Sequence, residues 1–315
     1  MGSYFLFFGG ILVATLSSTL AHGLEREFFV NLAGIIASTI FVLALLQFHE
    51  PSKILDGVAV GLRILILGSL IWWIYDPISS LENSRFRGVM ENANTFGFIC
   101  ALTCYVLLTR RRLTALDGLT LLALFALLFW SGSRASLIFL LLSIIALLFI
   151  RERRMGASLT ILALIFGAAY LLANGSVLDA EILRPVNTRS DGWGLAGDIL
   201  SEHPLFGVGV AVGESIPIAG TWASAAAWGG WIAVIGVTIA ACFFLISSLR
   251  FGGLATGFAV SVLGYAVFES WMLSLSGPTA LLVIAIWVAL AQFPARLLNV
   301  DPAEDIASSD CPGTL

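Results

Sequence analysis

Five arginines lie in three connections between apolar segments, and the guanidinium is a side chain well suited to binding phosphate. They are Arg85 and Arg87 in the first long connection, Arg134 at a tight turn, and Arg184 and Arg189 in the second long connection. Because a guanidinium presents a planar fork of N–H donors, several of them at a membrane surface would hold an anionic group such as a lipid-linked phosphate. The alternative is salt bridging within the same connections. The available carboxylates there are Glu82, Glu91, Asp179, Glu181 and Asp191.

The composition excludes whole classes of protein. Of the 315 residues, 59% are hydrophobic and only 11% are charged, whereas a soluble domain carries about a quarter charged residues. A water-soluble fold is therefore excluded. The formal net charge of −4 and the scattered basic residues also exclude nucleic-acid binding.

Ten apolar runs supply the elements that must position these arginines. One spanning helix needs about 20 apolar residues, so the chain predicts an all-α polytopic bundle of about ten spans, with residues 1–298 as a single membrane domain and 299–315 as a short acidic cytoplasmic tail. The predicted spans lie at about 4–21, 28–48, 54–74, 95–109, 114–130, 135–150, 157–173, 222–248, 253–273 and 277–293.

The distribution of basic residues predicts the orientation of the bundle. A cytoplasmic N-terminus places nine basic residues inside and six outside, and the two triple-arginine connections then lie on the same, cytoplasmic side. The two longest connections, 75–94 and 174–221, lie outside together. All five arginines named above are therefore expected on the outer face.

The second long connection contains a predicted amphipathic helix. From Thr188 apolar residues recur at helical spacing until Pro204 ends the pattern. We expect this helix to lie in the outer membrane interface, with Trp193 at headgroup depth. Its N-terminus, which carries Arg189 and free backbone N–H groups, would itself bind an anion.

Three motifs in this region occur in a fixed order. They are Asn92-Ala-Asn94-Thr-Phe-Gly97 at the start of one span, Ser131-Gly-Ser-Arg134-Ala-Ser136 at the start of another, and Arg189-x-x-x-Trp193 followed by Ile199-Leu-Ser-Glu-His-Pro204-Leu-Phe-Gly207-Val-Gly209. Together they cover roughly residues 85–245 and resemble the O-antigen ligase and polymerase superfamily of bacterial inner-membrane proteins.

The resemblance implies a multi-pass glycosyltransferase of lipopolysaccharide or polysaccharide biosynthesis in the bacterial inner membrane. Such an enzyme transfers a glycan from undecaprenyl pyrophosphate, at the periplasmic face, to lipid A-core (ligase) or to a growing polysaccharide (polymerase). It uses no cofactor, metal or nucleotide sugar, and its partners are these substrates and membrane lipids. The resemblance assigns the pyrophosphate to Arg189 and Arg134. The further substrate-binding candidates are Arg184, Arg85, Arg87, Asn94 and Trp193.

The chain departs from the superfamily in its length, since members often have more spans and a longer outer loop, and in one expected residue. Ligases usually place a His after the Gly-x-Gly segment, where it is thought to act as a base or to position the acceptor, but residues 210–231 contain no His. The polar candidates in this stretch are Glu214, Ser215, Thr221 and Ser224. We take Glu214 as the candidate base.

Two charged residues lie within predicted spans. Arg63 is near the middle of the third span, and Asp56, two helical turns earlier on the same face, is its expected partner. Glu269 lies near the outer end of the ninth span, where it could face the same cavity or merely reach the interface. It ranks below the arginines as a candidate.

Several functions remain open at this point. Ligase and polymerase are both compatible with the motifs. A solute transporter would need interrupted helices or charges that converge at bilayer mid-depth. A non-catalytic subunit of a polysaccharide export machine would leave Arg189 and Arg134 far apart, or engaged solely with neighbouring carboxylates.

Overall fold

The computed structural model describes residues 2–22, 26–47, 50–110, 113–151, 188–210, 212, 216, 218–273, 275 and 277–292. Over these residues the fold is almost entirely helical, which confirms the predicted class. The predicted span at 157–173 and the predicted tail at 299–315 lie outside them. The helices are α1 (Gly2–His22), α2 (Arg26–Leu46), α3 (Pro51–Tyr75), α4 (Ala93–Leu108), α5 (Ala115–Ser131), α6 (Arg134–Arg151), α7 (Thr188–Glu202), α8 (Thr221–Phe251), α9 (Gly253–Ala266) and α10 (Pro278–Gln292).

Three helical segments within the described residues are long and apolar enough to cross a membrane. They are Phe29–Leu46, Pro51–Tyr75 and Thr221–Phe251. Six further helices of the described part are apolar but contain only shorter apolar segments. By length and composition the chain is therefore a helical membrane protein.

Small residues allow α1 and α8 to pack with their backbones nearly touching. A Cβ added at Gly10 would lie 2.9 Å from the backbone nitrogen of Ala240, and a Cβ at Gly236 would lie 2.6 Å from the carbonyl oxygen of Gly10. Close backbone approach of this kind is the usual basis of helix packing in membranes, where lipid removes the hydrophobic driving force. Helices α6 and α9 meet in the same way, at Gly257 and Ala146.

Helix α8 is interrupted at Gly230, and a neighbouring segment repairs the interruption. Gly230 has φ 63° and ψ −157°, a backbone region open essentially only to glycine. An unbroken helix would join the Trp231 N–H to the Ala227 carbonyl. Instead Trp231 N donates to Pro204 O at 2.8 Å, and Ala227 O accepts from Val208 N at 2.8 Å. The segment 204–209 thus occupies the gap, so the Pro-Leu-Phe-Gly-Val-Gly motif completes a broken helix.

A short β-hairpin interrupts the otherwise helical fold and was not predicted. Strands β1 (Leu81–Glu82) and β2 (Arg85–Phe86) pair antiparallel, and both turn residues, Asn83 and Ser84, have positive φ angles. Such a two-residue turn matches the twist of a hairpin. Because neighbouring strand residues point to opposite faces, the buried Phe86, which stacks on Trp130, directs Arg85 to the other side.

Two predictions about the spans were wrong in detail. Arg63 does not pair with Asp56, because Asp117 at the start of α5 binds Arg63 and Arg110 binds Asp56 at 2.7 Å. The predicted span 253–273 is not one helix, since α9 ends at Ala266. A non-helical stretch follows, and then a short 3₁₀ helix at Trp271–Leu273. This stretch brings Glu269 into the polar site described next.

Candidate functional site

The first two motifs contact each other directly. Gly97 of α4 packs on the turn between α5 and α6, where a Cβ added to it would lie 2.5 Å from Ser131 Oγ and 2.7 Å from Ser133 Cβ. The Ser133 and Ser136 hydroxyls share a hydrogen bond of 2.6 Å, and Ser136 Oγ donates to the Asn94 carbonyl at 3.4 Å. All three serines are fully buried. The motifs at the starts of α4 and α6 are therefore one packed unit.

Arg85 joins the hairpin to this unit. Its Nε donates to the Ser131 carbonyl at 2.7 Å, and one terminal nitrogen donates to Asn94 Oδ1 at 2.5 Å. Gly132 ends α5 in the left-handed conformation, with φ 58°, and a Cβ there would lie 3.1 Å from Arg85 Nε. Glycine is thus favoured at this position both by its backbone conformation and by the guanidinium against it.

Asn94 connects Arg85 to Glu269. Its Nδ2 donates to Glu269 Oε1 at 3.0 Å, across 175 positions of sequence. The Glu269 carbonyl in turn accepts from the Thr221 hydroxyl at 2.7 Å. We call Arg85, Asn94, Ser131, Thr221 and Glu269 the polar cluster. It ties together the ends of α4, α5, α8 and α9.

The third motif lies next to the polar cluster at Trp193. Trp193 is 46% exposed, and its Nε1 donates to the Ala219 carbonyl at 3.1 Å, two residues before Thr221. The predicted helix is confirmed as α7, with Ala196 and Ile199 on its buried face. Arg189 lies four residues, about one turn, before Trp193, so its backbone lies on the same face of α7. The Arg189 side chain is outside the described part of the structure.

The remaining predicted residues have different places in the structure. Arg134 is the first residue of α6 and is half-buried next to Ser133. Arg87 donates to the carbonyls of Ser79 and Glu91, at 2.9 and 3.0 Å, and so holds the connection itself. Arg184 and Glu214 lie outside the described residues.

Two carboxyl groups of the first long connection serve local structure. Glu82 Oε2 accepts from the Ala93 N–H at 2.7 Å, at the positive end of α4. Asp76 accepts a hydrogen bond from the Ser79 N–H, and this bond, with one from the Ser79 side chain, lowers the pKa of the Asp76 carboxyl. Both groups therefore stabilise the ends of the connection and its turn.

A second charged group lies at the opposite end of α5. Asp117 binds Arg63 and also Arg110, the latter at 3.3 Å. Ser131 follows fourteen residues later in the same helix, a rise of about 21 Å. This ion-pair group is therefore separate from the polar cluster.

Sequence reasoning underestimated Glu269 and did not single out Thr221 for this role. The only signal for Glu269 was a single carboxylate near the end of an apolar run. In the part of the chain that the structure describes, no three His, Cys, Asp or Glu residues are grouped as a metal site requires.

Comparison of the chain with models of known protein families and with curated proteins finds no match in either.

Proposed function

We propose that this protein transfers a glycan from undecaprenyl pyrophosphate to a saccharide acceptor, in the manner of O-antigen ligases and polymerases. The observation that carries the proposal is the contact between the first two motifs in one polar cluster, which the third motif approaches through Trp193. Asn94 and the Ser131–Ser136 turn are in contact. Trp193 donates to the Ala219 carbonyl, two residues before Thr221, which binds the Glu269 carbonyl. Motifs far apart in sequence that meet at one polar site are what a shared substrate would require.

We propose a topology of about ten spans with a cytoplasmic N-terminus, and contacts between helix ends support the relative directions of the spans in it. Among the predicted outer ends, the His22 ring nitrogen Nε2 donates to the Gly207 carbonyl at 3.0 Å, and Asn94 donates to Glu269. Among the predicted inner ends, Arg110 binds Asp56, and the Tyr105 hydroxyl donates to the Leu254 carbonyl at 2.9 Å. Each of these contacts joins two ends predicted on the same side. The polar cluster then faces the periplasm, at the level of the lipid headgroups, in the bacterial inner membrane.

The chemistry proposed for the site is neutralisation of the leaving group. A sugar leaves a lipid pyrophosphate readily once the charge of the pyrophosphate is balanced. Arg189 and Arg134, with help from Arg184, would supply that balance. In a poorly hydrated pocket, one lost donor of this kind typically costs about 100- to 1000-fold in rate. Arg85 holds Asn94 in place, so its contribution is to the shape of the site.

A solute transporter is the second candidate because α8 is interrupted at Gly230. In transporters an interrupted helix leaves backbone groups available to bind an ion or substrate near the bilayer midplane. In this protein the segment 204–209 takes up the freed groups at Ala227, Trp228 and Trp231. The interruption therefore serves packing, and the transferase is the better supported function.

Replacing Arg189 tests the proposed transfer. Purified protein in detergent or nanodiscs would be assayed with an undecaprenyl-pyrophosphate-linked glycan and a saccharide acceptor. We expect Arg189→Ala to lose about 100-fold or more, and Arg189→Lys to lose less, since lysine keeps the charge but not the planar fork. Arg250→Ala, an exposed arginine at the far end of α8, is the matched control. Normal transfer by both Arg189 variants would remove the pyrophosphate assignment.

Deletion in the native host separates the candidate functions. Loss of glycan from lipid A-core, with long lipid-linked chains still made, indicates a ligase. If the deletion leaves only single repeat units of the glycan, the protein is a polymerase. An unchanged surface polysaccharide favours the transporter.

A further inference from the structure

Glu269 is half-buried and makes one hydrogen bond through its carboxylate and two through its backbone. Its Oε1 accepts from Asn94, its backbone N–H donates to the Tyr265 carbonyl at 3.1 Å, and its carbonyl accepts from Thr221. A carboxylate among apolar helix ends loses hydration, so it requires hydrogen-bond donors to remain charged. The two backbone contacts hold the chain at Glu269, and the Asn94 amide holds its carboxylate.

Arg85 determines the direction in which the Asn94 amide points. A guanidinium can only donate hydrogen bonds and an ionised carboxylate can only accept them. With Arg85 on Oδ1, the amide must present its NH₂ group to Glu269. Linked hydrogen bonds of this kind strengthen one another in a low dielectric. The chain from Arg85 through Asn94 therefore favours the ionised form of Glu269, which is the form that accepts a proton.

Other carboxylates near the site are less suitable for proton transfer. Glu82 accepts from the start of α4, and Asp76 accepts from its own turn. Glu91 is exposed. Glu269, by contrast, is bound to a motif residue 175 positions away in the sequence, at the point where the helix ends meet.

We propose that Glu269 receives the proton of the acceptor hydroxyl, the role for which residues 210–231 offer no histidine. This inference rests on the proposed function. The Glu269 carboxylate removes the hydroxyl proton as the acceptor oxygen bonds to the anomeric carbon of the donor sugar. The bond from that carbon to the pyrophosphate oxygen breaks, and its electron pair leaves with the lipid pyrophosphate. The anomeric configuration inverts, and the proton passes from Glu269 to water.

The Glu269→Gln variant tests this role with little change in structure, because a glutamine oxygen still accepts from Asn94. With saturating lipid-linked donor we expect kcat to fall about 100- to 10,000-fold, while the donor KM stays within about twofold. Glu91→Gln, which neutralises an exposed carboxylate of the first long connection, is the matched control and should keep the parent kcat.

Two further readouts separate proton transfer from a structural role. In the parent protein kcat should fall at acid pH as Glu269 is protonated, and Glu269→Gln should lack this acid limb. Added formate, a small external base, should restore part of the kcat lost in Glu269→Ala. A structural role predicts neither effect.

The inference is overturned if Glu269→Gln keeps the parent kcat, or if it loses activity while the acid limb persists and formate restores nothing. Loss in Glu214→Gln with full activity in Glu269→Gln would move the role to Glu214. These results leave the proposed function standing. Absence of transfer by the parent protein would instead reject the proposed function, and the role of Glu269 with it.

Discussion

We predict that alanine at Gly97 destabilises the protein, whereas alanine at Gly118 stabilises it. At Gly97 the new Cβ would lie 2.5 Å from Ser131 Oγ and 2.7 Å from Ser133 Cβ, about 1 Å closer than ordinary contacts between non-bonded carbon atoms. Both serines are fully buried, so they have little room to move. Overpacking of this kind costs about 1–3 kcal/mol. Because Gly97→Ala would create two such contacts, we take the cost as about 3 kcal/mol.

Helix propensity offsets part of that cost. Alanine is favoured over glycine in a helix by about 1 kcal/mol, so the net loss at Gly97 is about 2 kcal/mol in the free energy of unfolding. Gly118 lies in α5 with nothing within 4 Å of its Cβ position. Only the propensity gain of about 1 kcal/mol applies there. The same substitution therefore has opposite signs at the two sites.

Unfolding of the purified protein in mixed detergent, followed by tryptophan fluorescence, measures this difference of about 3 kcal/mol. Transfer activity should also fall in Gly97→Ala, because the displaced turn carries Arg134 and the carbonyl that binds Arg85. Equal or greater stability of Gly97→Ala, with the expected gain in Gly118→Ala, would refute the close packing of the two motifs.

Two other features give predictions of similar size. Asp117→Asn should lower the free energy of unfolding by about 3 kcal/mol, because it leaves Arg63 in the middle of α3 without its carboxylate partner. Asp56→Asn, which neutralises a side chain that is 64% exposed, should cost less than about 1 kcal/mol, and equal costs in both variants would contradict the pairing. Gly230→Ala should reduce the yield of monodisperse protein in size-exclusion chromatography, because its backbone conformation costs about 1–3 kcal/mol without glycine and its Cβ would meet the backbone of Leu205. Gly68→Ala, with open space around it, serves as its control, and a normal elution profile for Gly230→Ala would argue against the interrupted helix.

The glycine-rich motif at 204–209 has a structural role that its sequence alone does not reveal. Gly207 has φ 62°, and a Cβ there would lie 2.7 Å from the carbonyl carbon of Trp228. A larger residue would push the segment out of the gap in α8. The motif therefore contributes to the site indirectly, since it fixes the chain that follows α7.

Local sequence was sufficient to indicate a helical membrane protein and to locate most of its helices. Apolar runs and turn residues act within about 20 neighbouring positions, so the starts of α4, α6 and α8 were predicted to within about two residues. The amphipathic pattern likewise predicted α7 and its end before Pro204. Asn94 and Trp193, which lie in or next to the polar cluster, were among the candidates from sequence.

Tertiary structure decided which of these residues meet. The contact between Asn94 and Glu269 joins positions 175 apart, and it depends on how closely α4 and α9 approach. Both helices pack on α6, Gly97 against the turn that precedes it and Gly257 against Ala146, and a linear pattern does not express contacts of this kind. The same reason explains why Arg63 was assigned to Asp56, its neighbour on one helix, although the carboxylate that binds it comes from α5. The sequence by itself determined the helices and the candidate groups, and the packing of the helices determined the polar cluster and the position of its carboxylate.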